Sequence, residues 1–470
     1  MAKNSKYLVK LTLVATLGGL LFGYDTAVVS GTVSALESFF ILPFGLNEID
    51  ANSRLGFIVS SALIGCIIGG AFGGIVSKRL GRKNGLILAA LLFLLSALGS
   101  AMPEMFFTSI GKADHSFIYI FILYRIVGGI GVGLASMLSP LYIAEIAPAQ
   151  IRGRLVSMNQ FAIIFGMLVV YFVNYYIAKQ GDDSWLNTVG WRWMFASEAI
   201  PAGLFLLMLF LVPDTPRSLV LKSRPDKALN VLIKVNGPQE GKKILGEIQN
   251  TVVSHSSKLF SFGAAVIVIG VLISIFQQFV GINVVLYYAP EIFKNMGAGT
   301  DFALLQTIIV GTVNLLFTVL AILTVDKFGR KPLMIIGALG MAISMFALGA
   351  TFSLQSIGII ALICMLVYVA SFAMSWGPVA WVMLSEIFPN KIRGRALAMA
   401  VAAQWISNFL VSWTFPLMDK NSYLLEKFNH GFAYWIYGLM GVLAMVFVWK
   451  FVPETKGKTL EEMEKIWQQE

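Results

Sequence analysis

Runs of about twenty apolar residues recur along the whole chain and limit how it can fold more than any other feature. A helix needs about twenty apolar residues to cross the hydrocarbon core of a bilayer, whereas a transmembrane β-strand shows only about ten alternating residues. The runs therefore predict an all-α integral membrane protein of twelve transmembrane helices. In chain order, spans one to twelve lie at residues 8–30, 55–77, 85–102, 117–144, 155–177, 193–212, 259–288, 302–325, 332–353, 357–384, 396–418 and 432–452.

The charged residues are few and are distributed as a membrane topology requires. The 470 residues are 57% hydrophobic and 13% charged, whereas soluble domains are about a quarter charged. The net charge of +10 raises nucleic-acid binding as an alternative. However, 27 of the 35 Lys and Arg lie in the termini, in loops that follow even-numbered spans or, for Lys10 and Lys450, at the adjoining ends of spans one and twelve, and only 7 lie in the other loops. By the positive-inside rule, both termini are expected in the cytoplasm and no nucleic-acid partner is predicted.

The sequence contains no pattern typical of a metal site, a cofactor site or an enzyme. Its three His have no Cys nearby, and Cys66 and Cys364 lie within apolar spans, where we expect them as small buried side chains. No paired carboxylates and no Ser/His arrangement are expected to face a shared cavity. We therefore predict no metal, no cofactor and no catalytic residue.

The two halves of the chain repeat each other, which predicts a duplicated six-helix unit. Three charged motifs recur at offsets of 240 to 248 residues, and a nearly constant offset is hard to obtain by chance. Such repeats are typical of transporters in which two bundles rock around a site at the membrane midplane. The pairs are Gly81-Arg82-Lys83 with Gly329-Arg330-Lys331, Glu145 with Glu386, and Pro213-Asp214-Thr215 with Pro453-Glu454-Thr455.

A long polar stretch between spans six and seven separates the two halves. It carries helical patterning at 225–235 and again at 242–253, so we expect a cytoplasmic helical insert rather than another span. The predicted domains are an N-terminal six-helix bundle at 1–212, a helical linker at 213–258, a C-terminal six-helix bundle at 259–452 and a cytoplasmic tail at 453–470.

Motifs after the second span and at the end of each half resemble those of the sugar porter family of the major facilitator superfamily, over essentially the whole chain. The resemblance implies two pseudo-symmetric six-helix bundles in the major facilitator fold. Two positions depart from the usual motifs: Lys78 stands where an acidic residue or Asn is common, and Ser218 stands where Trp is typical. The motifs are 74–83 (GIVSKRLGRK), its more regular second copy 326–331, and the signatures 213–217 and 453–457.

Within the family, three stretches are most similar to the proton-coupled D-xylose carriers of bacteria, and facilitative glucose carriers are more distant. The resemblance implies symport of a proton with a monosaccharide, D-xylose with D-glucose as a close competitor, across the bacterial inner (cytoplasmic) membrane. The implied partners are the sugar, the proton and the lipid bilayer, with no obligate protein partner. A facilitative hexose uniporter and a transporter-like membrane sugar sensor remain as alternatives. The stretches are residues 13–28, 274–291 and 373–390.

Three ionisable residues lie inside spans of the first half, where each is expensive and needs a compensating group or a purpose. At about 1.5 Å per residue, Asp25, Arg125 and Glu198 fall in one layer of the outer half of the first bundle. A static ion pair between helices is one interpretation. The other is a proton switch, which the resemblance supports: Asp25 accepts the proton, Arg125 is its counter-charge and Glu198 assists.

Amide and aromatic side chains in otherwise apolar spans predict a sugar site. Sugar hydroxyls both donate and accept hydrogen bonds, and sugar C–H faces pack on aromatic rings. For any single amide, a hydrogen bond between helices is the alternative. Gly281 and Gly377 are expected to interrupt their helices. The resemblance places Gln160, Gln277, Gln278, Asn283, Trp381 and Gln404 at sugar-contacting positions, and the further predicted site residues are Phe22, Tyr287, Asn314, Gly377 and Trp405.

One position in span five bears on which sugar is carried. Met167 lies seven residues after Gln160, on the same helical face, so it is expected to point into the same cavity. The D-xylose carriers have Gln there. The loss of one hydrogen bond, worth ~0.5–1.5 kcal/mol, should weaken D-xylose binding about two- to thirteen-fold without abolishing it.

Charged residues are duplicated at the cytoplasmic helix ends of both halves. Plain surface charge would need no explanation. Because the charges are duplicated, we expect a latch between the bundles that forms when the carrier faces outward and breaks when it opens inward. The predicted latch residues are Arg82, Glu145, Arg152, Arg154, Arg330, Glu386, Arg393 and Arg395.

Overall fold

The chain folds almost entirely into helices in the part that the computed structural model describes. Eleven helices there are long and apolar enough to cross a membrane. One of them, Glu48–Ala101, is 54 residues long and contains both span two and span three. Twelve spans therefore lie within the described part, as the sequence predicts. The described residues are 5–148, 151–251, 259–355, 358–389, 392–456 and 467.

Spans one to six form the first half. Gly81 separates spans two and three, because its φ of 85° is a left-handed conformation that glycine adopts readily. A Cβ at this position would also lie 2.3 Å from Asp214 Oδ2. Span one is the helix Ser5–Val28, spans two and three lie in Glu48–Ala101, span four is Ile118–Ile146, span five is Arg152–Ala178, and span six is the pair Trp191–Ser197 and Ala199–Phe210.

Three short helices follow span six, where the sequence predicts a helical insert. Each begins with Pro in its first turn, where the missing N–H breaks no intrahelical hydrogen bond. Buried Leu219, Ala228 and Val231 form a small core between them. The second predicted helix runs to residue 251, and residues 252 and 253 lie outside the described part. The helices are Pro216–Leu221, Pro225–Asn236 and Pro238–Thr251.

Spans seven to twelve form the second half. Span seven begins at residue 265 rather than at the predicted 259, because the chain turns at Gly263, which has a φ of 84°. Span seven is Ala265–Phe279, Ile282–Tyr287 and Ala289–Asn295, span eight is Thr300–Phe328, span nine is Arg330–Ser353, span ten is Ile359–Met374 and Trp376–Ile387, span eleven is Arg393–Asp419, and span twelve is Phe432–Phe451.

Two spans of the second half are interrupted, one of them where the sequence predicts. Span seven breaks at Gly281, whose φ is 91° and whose Cβ, if present, would lie 2.6 Å from the ring of Tyr437. Tyr368 donates a hydrogen bond of 2.7 Å to the carbonyl of Val280 at this break. Span ten breaks at Ser375, not at Gly377, which lies inside the helix that follows. The prediction for Gly377 was therefore wrong, since φ and ψ of −132° and −89° at Ser375 already end the first helix.

Candidate functional site

A buried ion pair joins spans one and four. Arg125 Nη1 lies 2.7 Å from Asp25 Oδ1, and Arg125 Nη2 donates a 3.0 Å hydrogen bond to the Asp25 carbonyl. Both residues are at most 1% exposed. The guanidinium also lies 5.1 Å from the ring centre of Phe195 in span six, which adds a cation–π contact. The structure thus brings together two residues that are 100 positions apart and that the sequence places in one layer.

Glu198 adds a second carboxylate to this buried group. Glu198 lies at the interruption of span six, between the helix that ends at Ser197 and the helix that begins at Ala199. Its side chain is fully buried and interacts electrostatically with both Asp25 and Arg125. Neither of its carboxylate oxygens finds a hydrogen-bond partner among the described residues. Two carboxylates therefore share one guanidinium. If both carboxylates were ionised, the group would hold an uncompensated buried negative charge, which is costly.

An aromatic cluster packs against this charged group. Arg125 lies over Phe195, whose ring contacts Trp191 and Phe121, and Phe40 contacts both of those rings with centroids 5.3 to 5.6 Å apart. All four rings are fully buried. Phe40 belongs to the segment that leads outward from span one. The cluster therefore fills the space between the charged group and the outer end of the first half.

Three of the predicted sugar-contacting amides form a hydrogen-bonded chain in span seven. Asn283 Nδ2 donates to Gln278 Oε1 at 2.5 Å, and Gln278 Nε2 lies 3.5 Å from Gln277 Oε1. Gln277 Nε2 in turn donates to the carbonyls of Trp376 and Gly377 at 2.8 and 3.3 Å. The donor groups of Gln277 are thus committed to the break in span ten. Gln277 therefore makes a hydrogen bond between helices, which is the alternative to a sugar contact that the sequence leaves open for any single amide.

The aromatic wall extends across both halves. Phe22 of span one and Trp405 of span eleven have ring centroids 5.5 Å apart. Trp405 is 6% exposed and its neighbour Gln404 is 8% exposed. The indole N–H of Trp405 and the Oε1 of Gln404 have no hydrogen-bond partner among the described residues. This region therefore offers one free donor and one free acceptor beside an aromatic surface.

The remaining predicted site residues are less closely connected. Tyr287 is buried and its hydroxyl accepts a 3.4 Å hydrogen bond from Asn408 of span eleven. Met167 and Asn314 are buried, whereas Gln160 and Trp381 are partly exposed. Within the described part, no hydrogen bond joins Gln160, Asn314 or Trp381 to the amide chain of span seven. The structure thus joins the amides of span seven to the backbone of span ten, whereas the described residues show no hydrogen bond from them to the amides of spans five and eight.

The charge clusters that the sequence predicts at the cytoplasmic end have the same geometry in both halves. Arg82 Nη2 lies 2.7 Å from Glu145 Oε1, and Thr215 donates to the other oxygen of Glu145 at 2.5 Å. In the second half, Arg330 Nη2 lies 2.9 Å from Glu386 Oε1, and Thr455 donates to Glu386 at 2.5 Å in the same way. Each ion pair lies inside its own half. Of the other predicted latch residues, Arg152, Arg154 and Arg395 are exposed, and Arg393 donates to the Phe388 carbonyl.

A second carboxylate in each cluster caps a helix. Asp214 Oδ1 accepts hydrogen bonds from the backbone amides of Arg82 and Lys83, and Glu454 does the same for Arg330 and Lys331. These amides begin the helix after each Gly break, so the carboxylates also face the positive end of a helix dipole.

Ser218 has a clear role in the first of these clusters. Its hydroxyl donates to Asp214 Oδ2 at 2.7 Å. Burial opposes the charge of Asp214, but hydrogen bonds from Ser218, Lys222 and the Lys83 amide outweigh it and lower the pKa of the Asp214 carboxyl. The Ser that departs from the family signature therefore helps to keep this carboxylate charged.

Polar contacts join the halves at the end opposite the charge clusters, and they were not predicted from the sequence. Lys420 Nζ at the end of span eleven lies 2.5 Å from Glu37 Oε2 in the segment after span one. Ser34 donates to Glu291 Oε1 at 2.5 Å, and Lys294 donates to Ser34 at 2.6 Å. These residues are ordinary polar positions near helix ends, so a single sequence carries no signal that they meet.

Close helix packing accompanies the outer polar contacts. Trp413 Nε1 of span eleven donates to the Ser53 carbonyl of span two at 3.0 Å, and a Cβ at Gly56 would lie 2.1 Å from the Trp413 carbonyl. Tyr171 of span five donates to the Leu286 carbonyl of span seven at 2.9 Å. The two halves are therefore closed against each other at the end opposite the charge clusters.

Known proteins similar to this chain are sugar transporters. Residues 11–467 match the family described as sugar (and other) transporter. The chain is 64% identical to the D-xylose-proton symporter of Escherichia coli K12, covering 99% of this chain and 97% of that protein. It is 43% identical to the glucose facilitated diffusion protein of Zymomonas mobilis, covering 97% of each.

Solved structures of the same fold cover the whole chain. The inward open conformation of the xylose transporter XylE from E. coli matches with a TM-score of 0.90 at 62% identity, covering 98% of this chain and 100% of that one. The proton:xylose symporter XylE bound to 6-bromo-6-deoxy-D-glucose matches with a TM-score of 0.85 at 64% identity, covering 99% and 100%. These matches confirm the predicted twelve-helix major facilitator fold. The chain belongs to the sugar (and other) transporter family, a family of multi-pass membrane proteins.

Proposed function

We propose that this protein carries D-xylose together with a proton across the bacterial inner membrane, with both termini in the cytoplasm. The observation that carries the proposal is the buried group of Asp25, Arg125 and Glu198, in which two carboxylates share one cation. The similarity to a D-xylose-proton symporter over 99% of the chain supports the choice of substrate and coupling ion. The proposed domains are the bundles 1–212 and 259–452, the linker 213–258 and the tail 453–470.

Proton binding follows from the charge balance of the buried group. With Asp25 paired to Arg125, the pair is neutral and Glu198 is the uncompensated carboxylate. When Arg125 moves away from Asp25, the freed carboxylate gains a proton, because an isolated buried charge is far more costly than a neutral acid. Asp25 is the proton acceptor in this scheme, Arg125 the counter-charge and Glu198 the assisting group.

Span one links the proton to the sugar. Phe22 precedes Asp25 by three residues, so both lie on one side of the same helix, and Phe22 packs on Trp405 of the second half. A movement of span one that separates Asp25 from Arg125 therefore also moves the aromatic wall. The sugar itself is held mainly by the second half, through Gln277, Gln278, Asn283, Trp381 and Gln404, with Gln160, Met167, Tyr287, Asn314 and Gly377 completing the site.

Alternating access is supported by the different arrangement of the two ends. Outer polar contacts join the halves, whereas the cytoplasmic pairs Arg82–Glu145 and Arg330–Glu386 lie within each half, as expected of an inward-facing state. In the outward-facing state, the duplicated charges are proposed to form the latch between the bundles. The transport cycle then alternates between the outer contacts and the cytoplasmic latch.

The test is the variant Asp25→Asn in proteoliposomes. Asn keeps the size of Asp but cannot take up and release the proton, so accumulation of D-xylose on an inward pH gradient should be lost while sugar counterflow stays measurable. Asp301→Asn, at the exposed first turn of span eight, is the matched control and should behave as the wild type. If Asp25→Asn still concentrates the sugar on a proton gradient, the coupling assignment is wrong.

A facilitative uniporter is the alternative that the similarity to a facilitated diffusion protein keeps open. It requires no proton, so an uncoupler separates the two functions. Accumulation by the wild type that collapses when an uncoupler is added supports symport. Equilibration of the sugar without accumulation, with or without uncoupler, would identify a uniporter.

A further inference from the structure

Ser96 in span three is a buried hydroxyl without a hydrogen bond. It is fully buried, and its Oγ finds no hydrogen-bond partner among the described residues. Serines in helices commonly bond to a carbonyl of the preceding turn. Ser60 and Ser61 of span two do so, donating to the carbonyls of Gly56 and Ile58 at 2.7 and 2.8 Å. The hydroxyl of Ser96 is oriented differently and remains available to a neighbouring side chain.

That neighbour is Asp25. A Cβ placed at Gly128 of span four would lie 2.3 Å from Ser96 Oγ and 3.3 Å from Asp25 Oδ1. The two oxygens are therefore separated by no more than the sum of these distances. Both oxygens lie beside Gly128, which follows Arg125 by three residues, about one turn along the same helix. A larger residue at 128 would have to displace the Ser96 side chain.

The groups around this point include few hydrogen-bond acceptors for a protonated Asp25. Asp25 Oδ1 is bound to Arg125 and Oδ2 has no hydrogen-bond partner among the described residues. Once Asp25 is protonated, it becomes a donor, and Arg125 cannot accept. The Glu198 carboxylate can accept from its side of Asp25, and the Ser96 hydroxyl can accept beside Oδ1. The ionisable groups that face this region are Tyr24 and Asp25 from span one, Cys66 from span two, Arg125 from span four, Glu198 from span six and Tyr287 from span seven.

We propose that Ser96 is a positioning residue of the proton site and accepts a hydrogen bond from the protonated carboxyl of Asp25. The inference rests on the proposed proton coupling. The proton comes from the outer solution, binds to the Asp25 carboxylate and leaves to the cytoplasm, while Ser96 keeps its own proton throughout. In the structure, Asp25 bonds to Arg125 and not to Ser96. Ser96 therefore favours the protonated form.

The sign of the effect follows from this difference between the two states. Removing the hydroxyl weakens proton binding and leaves the Asp25–Arg125 pair in place. A neutral hydrogen bond corresponds to about a two- to thirteen-fold change in an equilibrium constant. The apparent proton affinity of Ser96→Ala should fall by this factor, so the outer pH at half-maximal accumulation should move about 0.3 to 1.1 units toward acid.

The experiment measures D-xylose accumulation by the full-length protein in proteoliposomes over a range of outer pH, each value divided by counterflow in the same preparation. Ser96→Ala should move the midpoint toward acid. Gly128→Ala should do the same by separating Ser96 from Asp25. Ser60→Ala is the matched control, because its hydroxyl bonds within its own helix, and its midpoint should equal that of the wild type.

Three results would overturn the role of Ser96. The first is a Ser96→Ala midpoint equal to that of the wild type, and the second is an equal shift in Ser60→Ala. The third is a Gly128→Ala variant that folds, transports and keeps the wild-type midpoint. Failure of the proposed function is distinguishable, because the wild type would then show no accumulation on a pH gradient at all. Folding should not confuse the test, since Ala at 96 removes a buried hydroxyl that has no hydrogen bond in this state.

Discussion

Replacing Gln278 with Ala should weaken D-xylose binding through the amide chain of span seven. The Oε1 of Gln278 accepts the hydrogen bond from Asn283 Nδ2 at 2.5 Å, which is the shortest contact in the chain of amides. The contact from Gln278 Nε2 to Gln277 Oε1 is 3.5 Å long and contributes little. Within the protein, truncation therefore has one main consequence: the amide of Asn283 loses its acceptor inside the site.

The expected magnitude follows from the cost of an unpaired buried polar group. Leaving such a group without its hydrogen bond costs about 1–3 kcal/mol, which corresponds to roughly a 5- to 150-fold loss of affinity. Gln278 itself is only 5% exposed, so water replaces its amide poorly. The effect should include both the lost contact to the sugar and the misplaced amide of Asn283.

Isothermal titration calorimetry of the purified protein with D-xylose measures this loss directly. Gln306→Ala is the matched control, because Gln306 is also a buried glutamine of the second half but lies in span eight, outside the amide chain. Its affinity for D-xylose should equal that of the wild type. Unchanged binding by Gln278→Ala, in a protein that melts like the wild type, would remove Gln278 from the site and refute the reasoning.

Two further predictions concern the choice of sugar and the outer contacts. Met167→Gln should tighten D-xylose binding, measured by calorimetry, about two- to thirteen-fold because it restores one hydrogen bond. Unchanged or weaker binding would contradict the placement of Met167 in the site. Accumulation of D-glucose but not D-xylose by the wild type would contradict the proposed substrate. Glu37→Gln should shift the population toward the outward-facing state by about 1.4- to 5-fold, because it breaks a half-buried ion pair with Lys420 worth ~0.2–1 kcal/mol. Spin-label distances between the outer ends of spans one and eleven measure this shift, and an unchanged distance distribution would exclude Glu37 from the outer closure.

The sequence alone determined the architecture, because the forces that decide it act locally. Each apolar run is long enough to span a bilayer by itself, and backbone groups in hydrocarbon must be satisfied within the segment, so helices follow directly. The repeat of 81–83 at 329–331 indicated the duplication, and the structure shows equal ion-pair geometry at both copies. The break at Gly281 was also predictable, since only glycine adopts a φ of 91° readily.

Asp25 and Arg125 could also be predicted as members of the proton site from the sequence alone, since an ionisable side chain in a span needs a compensating group. Which groups they face required the tertiary structure. Ser96 looks like any small polar residue of a span, and its relation to Asp25 depends on how spans one, three and four rotate around Gly128. That rotation results from the packing of whole helix faces, which no local pattern records.

Tertiary structure also decided where the amides and the outer charges bond. Gln277 donates to Trp376 across 99 positions, and Lys420 meets Glu37 across 383. The tertiary structure also decided that span ten breaks at Ser375 instead of Gly377. Glycine permits a break, but the observed break lies at Ser375, beside the carbonyls of Trp376 and Gly377 to which Gln277 of span seven donates. Such contacts join residues that are distant in sequence, so their pairing follows from the packed arrangement and not from the residue types.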